Sequence, residues 1–144
     1  MNLVEAIEKD LIIVPVKGTD KNSVLEELVT CLCKVKNFDK AEVMEAILDR
    51  EKLGSTAIGN GVAIPHCKME NVKGVNLVIG VSPNTIDYDD SEVRLFFLVV
   101  ANNDEATSHV QLLSSIARFC SSSVLRNMLA ASKTAKEVML TINN

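Results

Sequence analysis

The sequence predicts an α/β fold in one domain: a central sheet with helices packed above and below it. Three observations carry this. Residues 93–101, VRLFFLVVA, are apolar almost throughout, and a strand that does not alternate is one buried on both faces. The stretches on either side of the central region repeat apolar residues at helical spacing. Two further β-rich runs, residues 11–16 and 72–82, are bounded by turn residues. Three or four strands with flanking helices follow, and 144 residues suit a single domain, residues 1–144.

Taken in order, residues 3–9 fit a short helix. Leu11 to Val16 is β-branched with Pro15 near its end, which places it toward a sheet edge. Asp20 stands ahead of Val24, Leu25, Leu28, Val29 and Leu32, an amphipathic pattern that predicts a helix to about Lys36. Asn37-Phe38-Asp39 breaks it, Asp39 can cap a second helix, and Gly54 ends that one. Residues 72–82 read as a strand, Pro83-Asn84 as a turn and residues 86–90 as an acidic connector. From Glu105 the helical period returns, carrying His109, Leu112, Ile116 and Phe119. Ser121-Ser122-Ser123 breaks it, and residues 124–131 and 135–142 close the domain.

Composition excludes several classes. A net charge of −4 leaves no excess of Lys and Arg to neutralise phosphates, so nucleic acid is not an expected partner. No apolar run reaches the ~20 residues a membrane-spanning helix needs, and no leader pattern opens the chain; a cytoplasmic location is expected. With 3% aromatics and no Trp, the core must come from Ile, Val, Leu and Ala. Of the four cysteines, Cys31-Leu-Cys33 is spaced too closely for the usual redox or zinc pairs and reads as small helix residues.

The stretch DREKLGSTAIGNGVAIPHCK, residues 49–68, specifies backbone shape tightly. Gly59-Asn60-Gly61 predicts a reversal between two short apolar runs. Pro65 lacks an N–H and holds Ile64 extended, so the ladder is expected to end there and to deliver His66 at a strand exit. A ring mounted there is accessible and rigid, which suits a nucleophile; an ordinary polar residue in a surface turn is the bland alternative.

GNGVAIPHCK with Arg50-Glu51 upstream resembles the signature of bacterial phosphotransferase-system EIIA domains of the fructose and mannitol class. REKLGSTAIGNGVAIPH is most similar to the nitrogen-regulatory EIIA branch, and the similarity extends through LFFLVVANNDEATSHVQLLSSIARF, so it covers most of the chain. The resemblance implies a mixed central β-sheet flanked by helices on both faces. It implies that His66 is phosphorylated by an HPr-type phosphocarrier protein and that His109 assists. By its periodicity alone, His109 would be a hydrogen-bonded core histidine. Arg50, whose cation suits a helix C-terminus, is implied to reach the phosphoryl group as well. The phosphoryl would pass to an EIIB domain, or would switch binding to regulatory targets. That no EIIB or membrane portion follows Asn144 leans toward regulation. The family usually has glycine after the active histidine, where this chain has Cys67; its replacement by Gly is expected to be harmless.

Phosphoryl transfer asks mainly for positioning and for donors around the equatorial oxygens. Ser55 and Thr56 hydroxyls and the backbone N–H groups of Gly59 and Gly61 are candidates beside Arg50 and His109, although Ser and Thr also serve local turns. Val62 and Ile64, with the start of the helix near residue 106, could form an apolar docking collar or simply be core. No cofactor or metal is required, since the phosphoryl arrives on a high-energy N–P bond, and no GxxxxGK[ST] sequence is present. Two rivals stand beside this: an interaction module that does not transfer, and a zinc site of His66, Cys67 and His109. The zinc site is disfavoured because neighbouring residues on a strand face opposite ways.

Overall fold

The computed structural model describes residues 1–143. It contains a six-stranded mixed sheet rather than three or four strands: β1 Ile12–Ile13, β2 Ala57–Gly59, β3 Val62–Ala63, β4 His66–Met69, β5 Val75–Tyr88 and β6 Ser91–Asn102. The helices are α1 Leu3–Ala6, α2 Lys21–Lys36, α3 Lys40–Lys52, α4 Ala106–Phe119, α5 Ser123–Ala130 and α6 Ala135–Ile142.

The apolar run of residues 93–101 lies at the centre, as its composition requires. β6 pairs antiparallel with β5 on one side and parallel with β3 and β4 on the other. Phe96, Leu98 and Val100 share a core with Leu25 and Leu28 of α2 and Ile47 of α3. Their neighbours Leu95, Phe97 and Val99 share the opposite core with α4, α5 and α6 through Leu112, Leu129 and Val138. The two-residue period of the strand thus sorts one unbroken apolar run into two cores. β1 forms one edge, parallel to β5, and β2 the other, antiparallel to β3.

Asp20 and Asp39 cap α2 and α3 as expected, accepting from the N–H groups of Ser23 and Glu42. Other boundaries differ. The first helix stops at Ala6, held by a reciprocal Asn2–Glu5 capping box, and β1 is two residues long because Lys9–Leu11 form a 3-10 turn. Pro83-Asn84 does not turn the chain. β5 runs through it, because the β5–β6 register shifts between Val81 and Ile86 and leaves the proline no ladder bond to supply. The reversal comes at Asp89-Asp90, both with positive φ, in the tight loop of a β5–β6 hairpin. Among the described residues, no helix is long and apolar enough to cross a membrane.

Candidate functional site

Pro65 interrupts the strand beside β6 without ending its pairing. Ala63 lies opposite Phe96 and His66 opposite Val99, so β3 and β4 keep one register on β6. The Pro65 carbonyl takes the Val99 N–H at 2.9 Å. His66 therefore opens β4 instead of closing a strand. Alternation puts Val62, Ile64 and His66 on the α4 side, and Ala63 and Cys67 on the α2–α3 side.

On the α4 side His66 meets His109. The ring centroids are 5.6 Å apart and tilted by 57°, so the two imidazoles, far apart in sequence, share one place. His66 is half-buried, and its Nδ1–H donates to the Ile64 carbonyl at 2.7 Å. That bond fixes the tautomer and leaves the lone pair on Nε2. Burial pushes the His66 pKa below its ordinary value; the Ile64 carbonyl pulls it back, the nearby Arg50 cation lowers it further, and Glu51 raises it. His109, at the end of the first turn of α4, is 5% exposed. Burial, then the proximity of His66 and of Lys68, push its pKa down to about 4. Both rings are neutral at pH 7. His109 Nε2 is buried without a hydrogen-bond partner among the described residues, an arrangement that costs about 1–3 kcal/mol while it lasts.

Arg50 reaches across the last turn of α3, its guanidinium donating to the Gly54 carbonyl at 3.0 Å. This ties the arginine to the loop of residues 54–56, which runs beside His66: the Thr56 carbonyl takes the Ile64 N–H at 3.0 Å. Ser55 is exposed in that loop, and its hydroxyl accepts from the Ala57 N–H at 3.2 Å.

Several expected roles need correction. Thr56 is buried and turned inward. Its hydroxyl donates to Glu51 Oε2 and lies 2.9 Å from the Tyr88 hydroxyl, which also bonds Glu51 Oε2 at 2.9 Å. Gly59 and Gly61 belong to the β2–β3 hairpin, where positive φ is needed. Gly61 accepts from the N–H groups of Arg94 and Leu95, whereas His66 pairs with Val99. Five residue steps along the strand, ~16 Å, separate that turn from His66, so its N–H groups cannot cradle a group held there. Val62 and Ile64 are 1% and 5% exposed and lie in the core, so no partner can dock on them. Large apolar side chains left open on the elements around the site include Leu53 and Val110, at 83% and 61% exposure, and further off Ile58, at 49%. Leu53 precedes Gly54, Ile58 lies on β2, and Val110 follows His109.

Cys67 faces away from His66 into the α2–α3 core, so His66, Cys67 and His109 cannot share one ion. Among the described residues, no group of three or more His, Cys, Asp or Glu is placed to hold a metal. Sequence reasoning missed Glu51, Tyr88 and Lys21, which form the support beneath the loop. Lys21 Nζ lies 3.0 Å from Glu51 Oε1, 2.6 Å from Asp89 Oδ2 and 4.7 Å from the centroid of the Tyr88 ring. Glu51 was visible beside Arg50, but its partner Tyr88 is 37 residues away, beyond any local pattern.

Residues 5–144 match the model of the family described as phosphoenolpyruvate-dependent sugar phosphotransferase system, EIIA 2. A fructose-specific EIIABC component of the phosphotransferase system from Bacillus subtilis is 31% identical over 99% of the chain, which spans 23% of that protein. A nitrogen regulatory protein of Bradyrhizobium diazoefficiens is 30% identical over 96% of the chain and 92% of its own length. The crystal structure of the nitrogen regulatory protein IIA-Ntr from Neisseria meningitidis superposes with a TM-score of 0.89 at 27% identity, covering 97% of this chain and 98% of that one. With this match across nearly its whole length, the chain belongs to the EIIA 2 family of the phosphoenolpyruvate-dependent sugar phosphotransferase system.

Proposed function

We propose that His66 accepts a phosphoryl group on Nε2 from the phosphohistidine of an HPr-type carrier and hands it to an EIIB domain or holds it as a regulatory mark. The observation that carries this reading is the Nδ1–H bond to the Ile64 carbonyl at 2.7 Å, which aims an unprotonated Nε2 away from the strand beside His109. The Nε2 lone pair forms the new N–P bond as the P–N bond of the donor breaks. That electron pair returns to the donor imidazole, while the His66 proton stays on Nδ1. No proton needs to be removed, so the depressed pKa of His66 serves only to keep the ring neutral.

The protein's remaining task is to meet charge on the phosphoryl oxygens. In its Nε2–H tautomer, His109 donates from this unpartnered nitrogen to a phosphoryl oxygen, and Arg50 supplies a cation whose planar fork suits phosphate. Leu53 and Val110 form the apolar rim on which a partner would press to keep water out. Regulation is supported by the Bradyrhizobium relative, a nitrogen regulatory protein of which the chain spans 92%; transport is supported by the Bacillus one, named for EIIA, EIIB and EIIC parts together.

Incubation with phosphorylated HPr-type carrier tests the reading. Acid-labile phosphate is expected on the wild type and none on His66→Ala, with a ³¹P signature of Nε2 substitution. His109→Gln should still be phosphorylated, about 10²-fold more slowly. Phosphate on His66→Ala, or an unaltered rate in His109→Gln, would overturn the assignment of each residue in turn.

A further inference from the structure

We propose that a second site, at the other end of the sheet from His66, binds a small organic anion: a carboxylate or phosphate monoester carried on a compact apolar body. The site is a cavity of about 240 Å³ walled by Val14, Pro15, Val81, Pro83 and Ala130, with Arg94 and Lys133 in its lining. Arg94 lies five residues before Val99, the β6 partner of His66, or ~17 Å along the strand. The cavity is thus separate from the candidate transfer site, and the proposal does not depend on phosphorylation of His66.

Charge gives the ligand its class. In a chain of net charge −4, two cations line one apolar-walled cavity. Lys21, Lys36, Lys40 and Lys52 each pair with a carboxylate; among the described residues neither Arg94 nor Lys133 does. Arg94 is also fixed in place, its Nε–H donating to the Ser82 carbonyl at 3.2 Å. That bond leaves the terminal nitrogens, the fork that grips a carboxylate or phosphate two-handed.

The hydroxyls in the lining narrow the class further. Ser82 donates to the Asn84 carbonyl at 2.6 Å and Ser132 to the Met128 carbonyl at 3.2 Å. Their protons are spent, so the donors facing the cavity are those of the two cations, which a ligand rich in acceptor oxygens satisfies. The volume admits a body of roughly ten to fifteen non-hydrogen atoms and excludes a dinucleotide.

The test is titration of ¹⁵N-labelled protein with phenyl phosphate, benzoate and the neutral benzamide. Saturable shifts are expected at the Val14, Val81 and Ala130 amides and at Arg94 Nε–H, with both anions binding below about 1 mM and benzamide at least tenfold weaker. Lys133→Gln, an exposed side chain whose loss spares the fold, should weaken phenyl phosphate about three- to tenfold. His66→Ala should leave binding unchanged. Absence of saturable shifts up to about 10 mM, benzamide binding as well as benzoate, or an unaffected Lys133→Gln would each overturn the proposal.

Discussion

With Nδ1 of His66 bonded to the Ile64 carbonyl at 2.7 Å, one backbone acceptor decides which nitrogen of the ring is open. Such a choice is invisible in a string of residues. What could be read was that Ile64 is held extended by Pro65, which is the condition for its carbonyl to stand beside the ring two residues on. Cys67 shows where single-residue reasoning fails. Placed next to a reactive histidine, it reads as a functional departure; in the strand it is the next residue along and faces the other way, 6% exposed in the α2–α3 core. Burial pushes its thiol up to about 12, so at neutral pH there is almost no thiolate to react. Cys67→Gly, expected from the sequence to be harmless, should instead lose buried contact and add backbone freedom in a strand, at about 1–2 kcal/mol. Urea unfolding should show a lower midpoint at unchanged slope, and thiol reagents should fail to label Cys67 in the native state.

At the scale of elements, the site rests on the junction between α3 and the loop before β2. Arg50, in the last turn of α3, binds the Gly54 carbonyl and is near enough to lower the His66 pKa, while the next residue, Glu51, is buried, where Thr56, Tyr88 and Lys21 hold it. Consecutive residues on one helical turn thus both tie down the loop, Arg50 through the Gly54 carbonyl and Glu51 through Thr56. Asp20 and Asp39 made the helix starts legible because capping is local, whereas this anchor joins α3, the loop, β5 and the start of α2. Tyr88→Phe removes the hydroxyl that bonds Glu51 at 2.9 Å and leaves a buried carboxylate short of a donor. A loss of about 1–3 kcal/mol is expected, measured as a fall in the urea midpoint. The same variant should raise amide exchange in residues 54–56 before it affects α4, because the damage lies under the loop.

Across the whole molecule, the layered architecture was readable because one unbroken apolar run can only be a strand covered on both faces. The strand β4 was not, since it follows Pro65 and takes its register from β6, and the strand expected over residues 11–16 keeps only the two residues of β1. Nor was it readable that Val62 and Ile64 would be sealed, because the covering helix α4 begins more than forty residues later. That same packing sets a pH dependence for the entire fold. α4 lays His109 against the sheet with a folded-state pKa of about 4, below the ordinary 6.5 of an unfolded chain. Above pH 6.5 both states hold the ring neutral and the contribution is complete. As the pH falls from 6.5 toward 4, the unfolded chain takes up a proton the folded one refuses, so stability drains away across that window, by at most about 3 kcal/mol. His66, whose pKa is lowered in the same direction, adds to the decline below pH 6.5. Urea unfolding of the wild type at a series of pH values should show this decline, and His109→Gln should flatten most of it while His66→Gln removes the smaller share. A wild-type stability that stays level from pH 6.5 to 4.5, or a decline that persists undiminished without His109, would place the proton uptake elsewhere in the chain.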